Sequence, residues 1–202
     1  MRALVIAIAV MGALAMPAWA DLFNTTSVRT RNINSIPKWI DVLSRTERED
    51  LRGQCAAGQC GGKEESWWEK MPDWSRESRF NQMVQVNRWL NNYPYITDSE
   101  LLGRSDFWQT PGQFITRSGD CEDYAIAKYY TLKALGWSED ELRLVVVHDT
   151  LRNIPHAVLA VSVDGGTYIL DNLASEPLLH QYVRQYTPYY AINAKYRWVF
   201  IK

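Results

Sequence analysis

The segment that most constrains the fold is a helix predicted from about Asp120 to Leu135. Its residues Tyr124, Ala125, Ile126, Ala127, Tyr129, Tyr130, Leu132 and Leu135 are apolar on nearly every side, and Gly136 supplies a C-terminal cap. A helix without a polar face has to be covered on several sides, so it belongs at the centre of a domain. Beyond it the apolar period shortens from helix to strand. ELRLVVVHDT, PHAVLAVSVD, TYILDNL and YRWVFIK all read as strands, with Asp164-Gly165-Gly166 as a hairpin turn between the second and third. Before the central helix, PKWIDVLSRTEREDL offers Trp39, Ile40, Leu43 and Leu51 to one face. FNQMVQVNRWLNNY repeats Phe80, Met83, Val84, Asn87, Trp89 and Leu90 at helical spacing until Asn91-Asn92-Tyr93-Pro94 stops it. Residues 21–35 read as loosely ordered, and 95–119 as loop with short elements. The plan is α+β: helices first, then an antiparallel sheet, with no internal repeats.

The first twenty residues stand apart from that plan. Met1-Arg2, the apolar run ALVIAIAVMGALAM, Pro17 and the tripeptide Ala18-Trp19-Ala20 form a secretory signal peptide, with cleavage expected before Asp21. A membrane anchor is the competing reading, but the run is shorter than the ~20 residues a span needs. Residues 21–202 are then expected to form a single exported domain, with no stable membrane insertion after cleavage. Loss of Arg2 leaves 21 basic and 23 acidic residues, a net charge of −2. No Lys/Arg-rich run occurs, which argues against nucleic acid or an anionic membrane as partner.

The chain has three cysteines. Cys55 and Cys60 lie in GQCAAGQCGG, a loop able to close a small disulfide in an oxidising compartment; a metal pair there would lack a nearby His or further Cys. Cys121 is left over, either inert in the core or kept for chemistry. It opens the central helix, where a thiolate is favoured, yet Asp120, Glu122 and Asp123 crowd it. One carboxylate ~5 Å away at an effective dielectric of ~20 costs a thiolate about 3 kcal/mol, roughly two pKa units. A cysteine nucleophile also needs a base and an orienting group. His156 begins a strand, and Asp171 follows the Gly-Gly turn. If Gly165-Gly166 is a two-residue loop, His156 faces Ser175, which shares the parity of Asp171, so His156 and Asp171 project from the same face. They are not opposite, and a bulge or longer turn is needed to close the offset. His148, followed at once by Asp149, is assigned a structural or surface role, and His180 lies beyond the strand pair. Taken singly, Cys121 reads as a small core residue, His156 as a satisfied polar group and Asp171 as a cap; together they form an ordered Cys–His–Asp series.

GDCEDYA-x-A-K-x-x-x-L-x-x-x-G, with FWQTPGQF before it and PHAVLAV and LDN after it, resembles the bacterial transglutaminase-like cysteine proteinases. The resemblance runs from about Val86 to Asp171, and GDCEDYA is its most specific part. It implies a papain/transglutaminase-like fold with Cys121 as nucleophile, His156 as base and Asp171 as orienting group. It also implies dependence on Ca2+, with Asp120 and Glu122 at acidic positions linked to the ion. Members act in the periplasm on a large surface adhesin, cutting near its N-terminus at a small-residue site such as Ala-Ala. Cleavage releases the adhesin and promotes biofilm dispersal, and a cyclic-di-GMP-responsive inner-membrane receptor sequesters the protease. A bound calcium would neutralise the acidic cluster, provided Asp120 lies outside regular helix. Asp123 fits coordination or a capping box with Asp120 equally well. The Cys121 N–H is one oxyanion donor, with Gln113 or Trp108 as candidates for a second, and Trp108 alternatively an exposed docking residue. A transglutaminase-type acyl transferase and a non-catalytic calcium-binding adaptor are the other readings.

Overall fold

The computed structural model describes residues 22–201, so the expected signal peptide lies outside the described residues. The chain begins with a short 3-10 turn at Leu22–Asn24 and strand β1 (Thr26–Thr30). Seven helices follow: α1 (Pro37–Glu49), α2 (Leu51–Ala56), α3 (Gly62–Ser75), α4 (Arg79–Leu90), α5 (Asp98–Leu102), α6 (Pro111–Arg117) and α7 (Cys121–Ala134). Strands β2 (Leu142–Asp149), β3 (Ile154–Val163), β4 (Gly166–Leu170), β5 (Leu178–Leu179), β6 (Tyr186–Ile192) and β7 (Arg197–Ile201) complete it. Every strand pairing is antiparallel, in the order β1-β7-β6-β2-β3-β4-β5. Among the described residues no helix is long and apolar enough to cross a membrane.

Helix α7 is central, as its composition requires. Tyr124, Ala125, Ile126, Ala127, Tyr129 and Leu132 are all buried, and the helix packs on β3, β2, α4 and α6. The core on this side of the sheet joins Trp39, Met83, Phe114 and Ile126 to Leu144 and Leu159. The opposite face of the sheet carries a second core, in which Val145, Val158 and Ile169 pack with Leu22, Phe23, Tyr186 and Trp198. Cys55, in α2, forms a disulfide with Cys60.

Several expectations are corrected. Residues 22–30 are ordered: Leu22 and Phe23 are buried, and β1 pairs with β7 along its length. Helix α1 buries Trp39 and Val42, with Ile40 and Leu43 only partly covered, and it ends where Asp50 turns left-handed (φ 40°). Leu51 therefore starts a new helix. In α4, Phe80 stays exposed while Gln82 is buried; Asn87 is buried as its place on the face predicts. Helix α3, with Pro72 inside it, and strand β6, with Pro188 inside it, were not anticipated.

The β3–β4 hairpin also differs. Its two loop residues are Asp164 and Gly165, both left-handed (φ 50° and 77°), and Val163 pairs with Gly166. Asp tolerates that conformation, so the loop starts one residue earlier than expected. The register extrapolates His156 to Leu173 rather than Ser175, halving its offset from Asp171 to two residues. No bulge or longer turn between these strands is needed, since diagonal neighbours of this kind are within side-chain reach.

Candidate active site

The N-terminus of α7 is built around Asp123. Its carboxylate accepts the backbone N–H of Gln109 (2.8 Å), the Gln109 side-chain amide (2.7 Å) and the backbone N–H of Asp120 (3.2 Å). Asp120 sits outside regular helix at the N-cap (φ −109°, ψ −164°), and the Asp123 side chain caps its backbone N–H from the third helical position. Gly119 permits this closeness. A Cβ there would come within 2.5 Å of Gln109 Nε2 and nearer still to Asp123 Oδ2. Helix α1 steadies the same region. Arg45 donates to the Trp108 carbonyl and to Gln113 Oε1, and Glu49 accepts from Thr110 Oγ1 (2.6 Å) and the Gly112 N–H (3.2 Å).

Cys121 is the first residue of α7 and lines a cleft of about 570 Å³ with His156, Ala157, Val146, Tyr190 and Trp108. Its thiol donates to Glu122 Oε2 (3.2 Å) rather than to the imidazole, and the Ala157 N–H reaches the sulfur. Burial, followed by the Glu122 and Asp120 carboxylates, raises the thiol well above its ordinary value. Both effects favour the thiol over the thiolate.

Opposite it, His156 Nε2 lies 2.9 Å from Asp171 Oδ1, leaving Nδ1 as the other ring nitrogen. Both residues are buried. Asp171 also accepts the Tyr186 hydroxyl (2.5 Å) and the Leu173 N–H (3.0 Å). Burial pushes its carboxyl up, but the bonds and charge of His156, Tyr186 and Leu173 outweigh it and hold the carboxyl below the usual range. Two turns along α7 from Cys121, Lys128 is fully buried near Asp171, with no hydrogen-bond partner for Nζ, 5.8 Å from the Tyr124 ring. His148 and His180 do not line the cleft. His148 sits 6.2 Å from the Tyr189 ring, and His180 Nδ1 accepts the Phe23 N–H (3.2 Å) to fasten the N-terminal turn.

Two expectations about the cleft are corrected. Trp108 is buried, so it is no exposed docking residue. Gln113 caps α6 through Thr110 and meets Arg45, away from the cleft, so it is no oxyanion donor.

The acidic groups fall into two overlapping sets, Asp120 with Cys121 and Glu122, and Asp98 with Asp120 and Asp123. Burial is the first cause that raises every carboxyl here. Glu122 is pushed up to about 9, with Asp120 and Asp123 adding to it, while Asp123 is pushed up to about 7 against the Gln109 bonds that lower it. Asp98 and Asp120 are raised as well. Asp98 Oδ1 and Asp120 Oδ1 are buried without any hydrogen-bond partner, and buried carboxylate oxygens of this kind fit a hard cation. Asp98 was not anticipated. It lies inside the Thr97–Glu100 capping box, and only its contact with Asp120 across 22 residues reveals it.

Residues 55–202 match the sequence model of the bacterial transglutaminase-like cysteine proteinases (BTLCP). The fold is similar to that of LapG from Legionella pneumophila, at 30% identity and a TM-score of 0.64, over 75% of this chain and 86% of that one. The calcium-bound form of that protein agrees equally well, and its EGTA-treated form is matched over 84% of its length with the same identity and TM-score. No curated protein sequence matches. On the family match and this likeness, the chain is a cysteine protease with a transglutaminase-like fold and belongs to the bacterial transglutaminase-like cysteine proteinase family.

Proposed function

We propose that this cysteine protease is a calcium-dependent periplasmic endopeptidase that cuts the N-terminal region of a large surface adhesin, releases it and promotes biofilm dispersal. The observation that carries the reading is the 2.9 Å bond from Asp171 to His156, which lines the same cleft as Cys121 at the head of α7. Cys121 attacks the scissile carbonyl, and His156 takes the thiol proton and returns it to the leaving amine. Asp171 holds the imidazole in one tautomer and supports its charged form. Water then hydrolyses the acyl-enzyme, with His156 as base. The Cys121 N–H, at the start of a 14-residue helix, is placed to donate to the developing oxyanion.

Asp120 stands in both acidic sets and would hold the ion, with Glu122 from one set or Asp98 from the other, while Asp123 is mainly engaged in capping. When bound, calcium supplies positive charge that offsets the acidic cluster. Glu122 is the residue to watch, because it accepts the thiol hydrogen bond that competes with proton transfer to His156. An inner-membrane cyclic-di-GMP receptor is the proposed regulator, and the apolar run after Met1-Arg2, with Ala18-Trp19-Ala20 behind it, is the sequence feature that supports export.

Residues 21–202, as wild type and Cys121→Ala, are incubated with the host's own large adhesin in calcium or in chelator, and fragments are identified by mass. Wild type is expected to cut at one site near the adhesin N-terminus only with calcium. Cutting by the alanine variant, or full activity in chelator, overturns the reading. An added primary amine that appears in the product assigns an acyl transferase instead.

A further inference from the structure

Asp171 stands one residue past Leu170, the last residue of β4 paired with β3, so the ladder itself no longer fixes it. Two other elements do. Helix α4 grips the backbone: Asn91 Nδ2 donates to the carbonyls of Asp171 and Ala174 (2.8 Å each), and Asn87, one turn earlier, donates to those of Ala174 and Ser175 (3.0 Å each). That leaves the rotation of the carboxylate about its own side chain. Asp171 Oδ1 receives both His156 Nε2 and the Leu173 N–H, while Oδ2 receives the hydroxyl of Tyr186.

Tyr186 starts β6 opposite Asp149 of β2, and its ring touches the histidine as well as the aspartate. The Phe23 ring meets it edge-on at 6.0 Å (84°), and the His156 ring lies 5.5 Å away. We propose that Tyr186 is a positioning residue of the catalytic apparatus: its hydroxyl locks the Asp171 carboxylate in the plane that aims the imidazole of His156 at Cys121. The inference rests on the Cys121–His156–Asp171 reading. The phenol is suited to a permanent donor, since burial, followed by the Asp171 charge, raises it far above its ordinary value. The other charged groups around Tyr186 and this carboxylate are Lys128 from α7, Asp149 at the end of β2 and Arg152 in the turn that follows it. None of them donates a hydrogen bond to Oδ2, so the tyrosine is its single direct donor among the described residues.

Tyr186→Phe keeps the ring and removes the donor. The assay is the rate of iodoacetamide alkylation of Cys121 near pH 7 with calcium present, which reports the thiolate–imidazolium pair without needing a substrate. Cys55 and Cys60 are tied in their disulfide and do not contribute. The phenylalanine variant is expected to react about tenfold more slowly, the scale of a small misplacement of a catalytic group. Asp171→Asn is expected to react more slowly too, and the double variant no more slowly than Asp171→Asn alone. Wild-type reactivity in Tyr186→Phe with a slow Asp171→Asn overturns this inference. Equal slowing by Tyr186→Phe with or without Asp171 overturns it as well, because the ring would then act through packing. Wild-type reactivity in Asp171→Asn instead overturns the underlying triad reading.

Discussion

Replacing Lys128 by methionine should stabilise the protein, and the gain should depend on pH in a defined direction. The amine is fully buried, and Nζ has no hydrogen-bond partner. Burial, opposed by the charge of Asp171, lowers it from 10.5 to about 7. At about 1.4 kcal/mol per unit, that difference amounts to about 5 kcal/mol against folding when the amine is protonated in both the folded and the unfolded chain. Because the folded value lies below the unfolded one, folding releases a proton between pH 7 and 10.5. The penalty is therefore absent above pH 10.5, grows as pH falls and is complete below about 7. Methionine, of similar length, fills the space without titrating. Urea unfolding of wild type and Lys128→Met at pH 6 and pH 9 should show the variant more stable at pH 6, with the gap narrowing by about 2–3 kcal/mol at pH 9. A gap that does not change with pH, or a variant less stable at pH 6, refutes the reasoning by showing that the ammonium is solvated or paired.

Gly119→Ala would drive a Cβ into Asp123 and Gln109; about 2 kcal/mol or more of urea stability should be lost, together with fast alkylation of Cys121. Asp98→Asn should raise the calcium concentration at the midpoint of thermal stabilisation by about tenfold or more, because a carboxylate ligand is lost, whereas an unchanged midpoint would remove Asp98 from the site. At the hairpin, Gly165→Ala at φ 77° should cost about 1 kcal/mol by denaturant titration, with Asp164→Asn costing less than about 0.5, since asparagine accepts the left-handed conformation.

What the sequence disclosed depended on how local each signal is. Helix α7 and strands β2, β3, β4 and β7 announce themselves by apolar runs and turn residues that act within a few positions. Strand β6 is obscured by Pro188 and by exposed Tyr189, and β1 by its polar TSVRT and a partner at the other end of the chain. The pairing of His156 with Asp171 survived a wrong hairpin register because the error was an even number of positions, which preserves the face of each side chain. The distance between them was misjudged for the same reason. The roles of Asp98, Tyr186, Asn87 and Asn91 in the site are not legible in the sequence because nothing near them in the chain speaks of chemistry; each acquires its role from a residue between 15 and 88 positions away. Trp108 and Gln113 carried the opposite lesson. A suggestive place beside the motif was outweighed by burial in one and capping in the other.

The pairing of Thr26–Thr30 with Arg197–Ile201 sets an order on how the molecule can come to exist. These segments are about 170 residues apart in the chain, and every other strand lies between them. The sheet cannot be finished until Arg197–Ile201 are in place; until then β6 has a bare edge and β1 has no partner. Such late, long-range closure favours slow assembly of the whole domain at once over piecemeal growth. It also means that removing Arg197–Ile201 would leave Thr26–Thr30 unpaired.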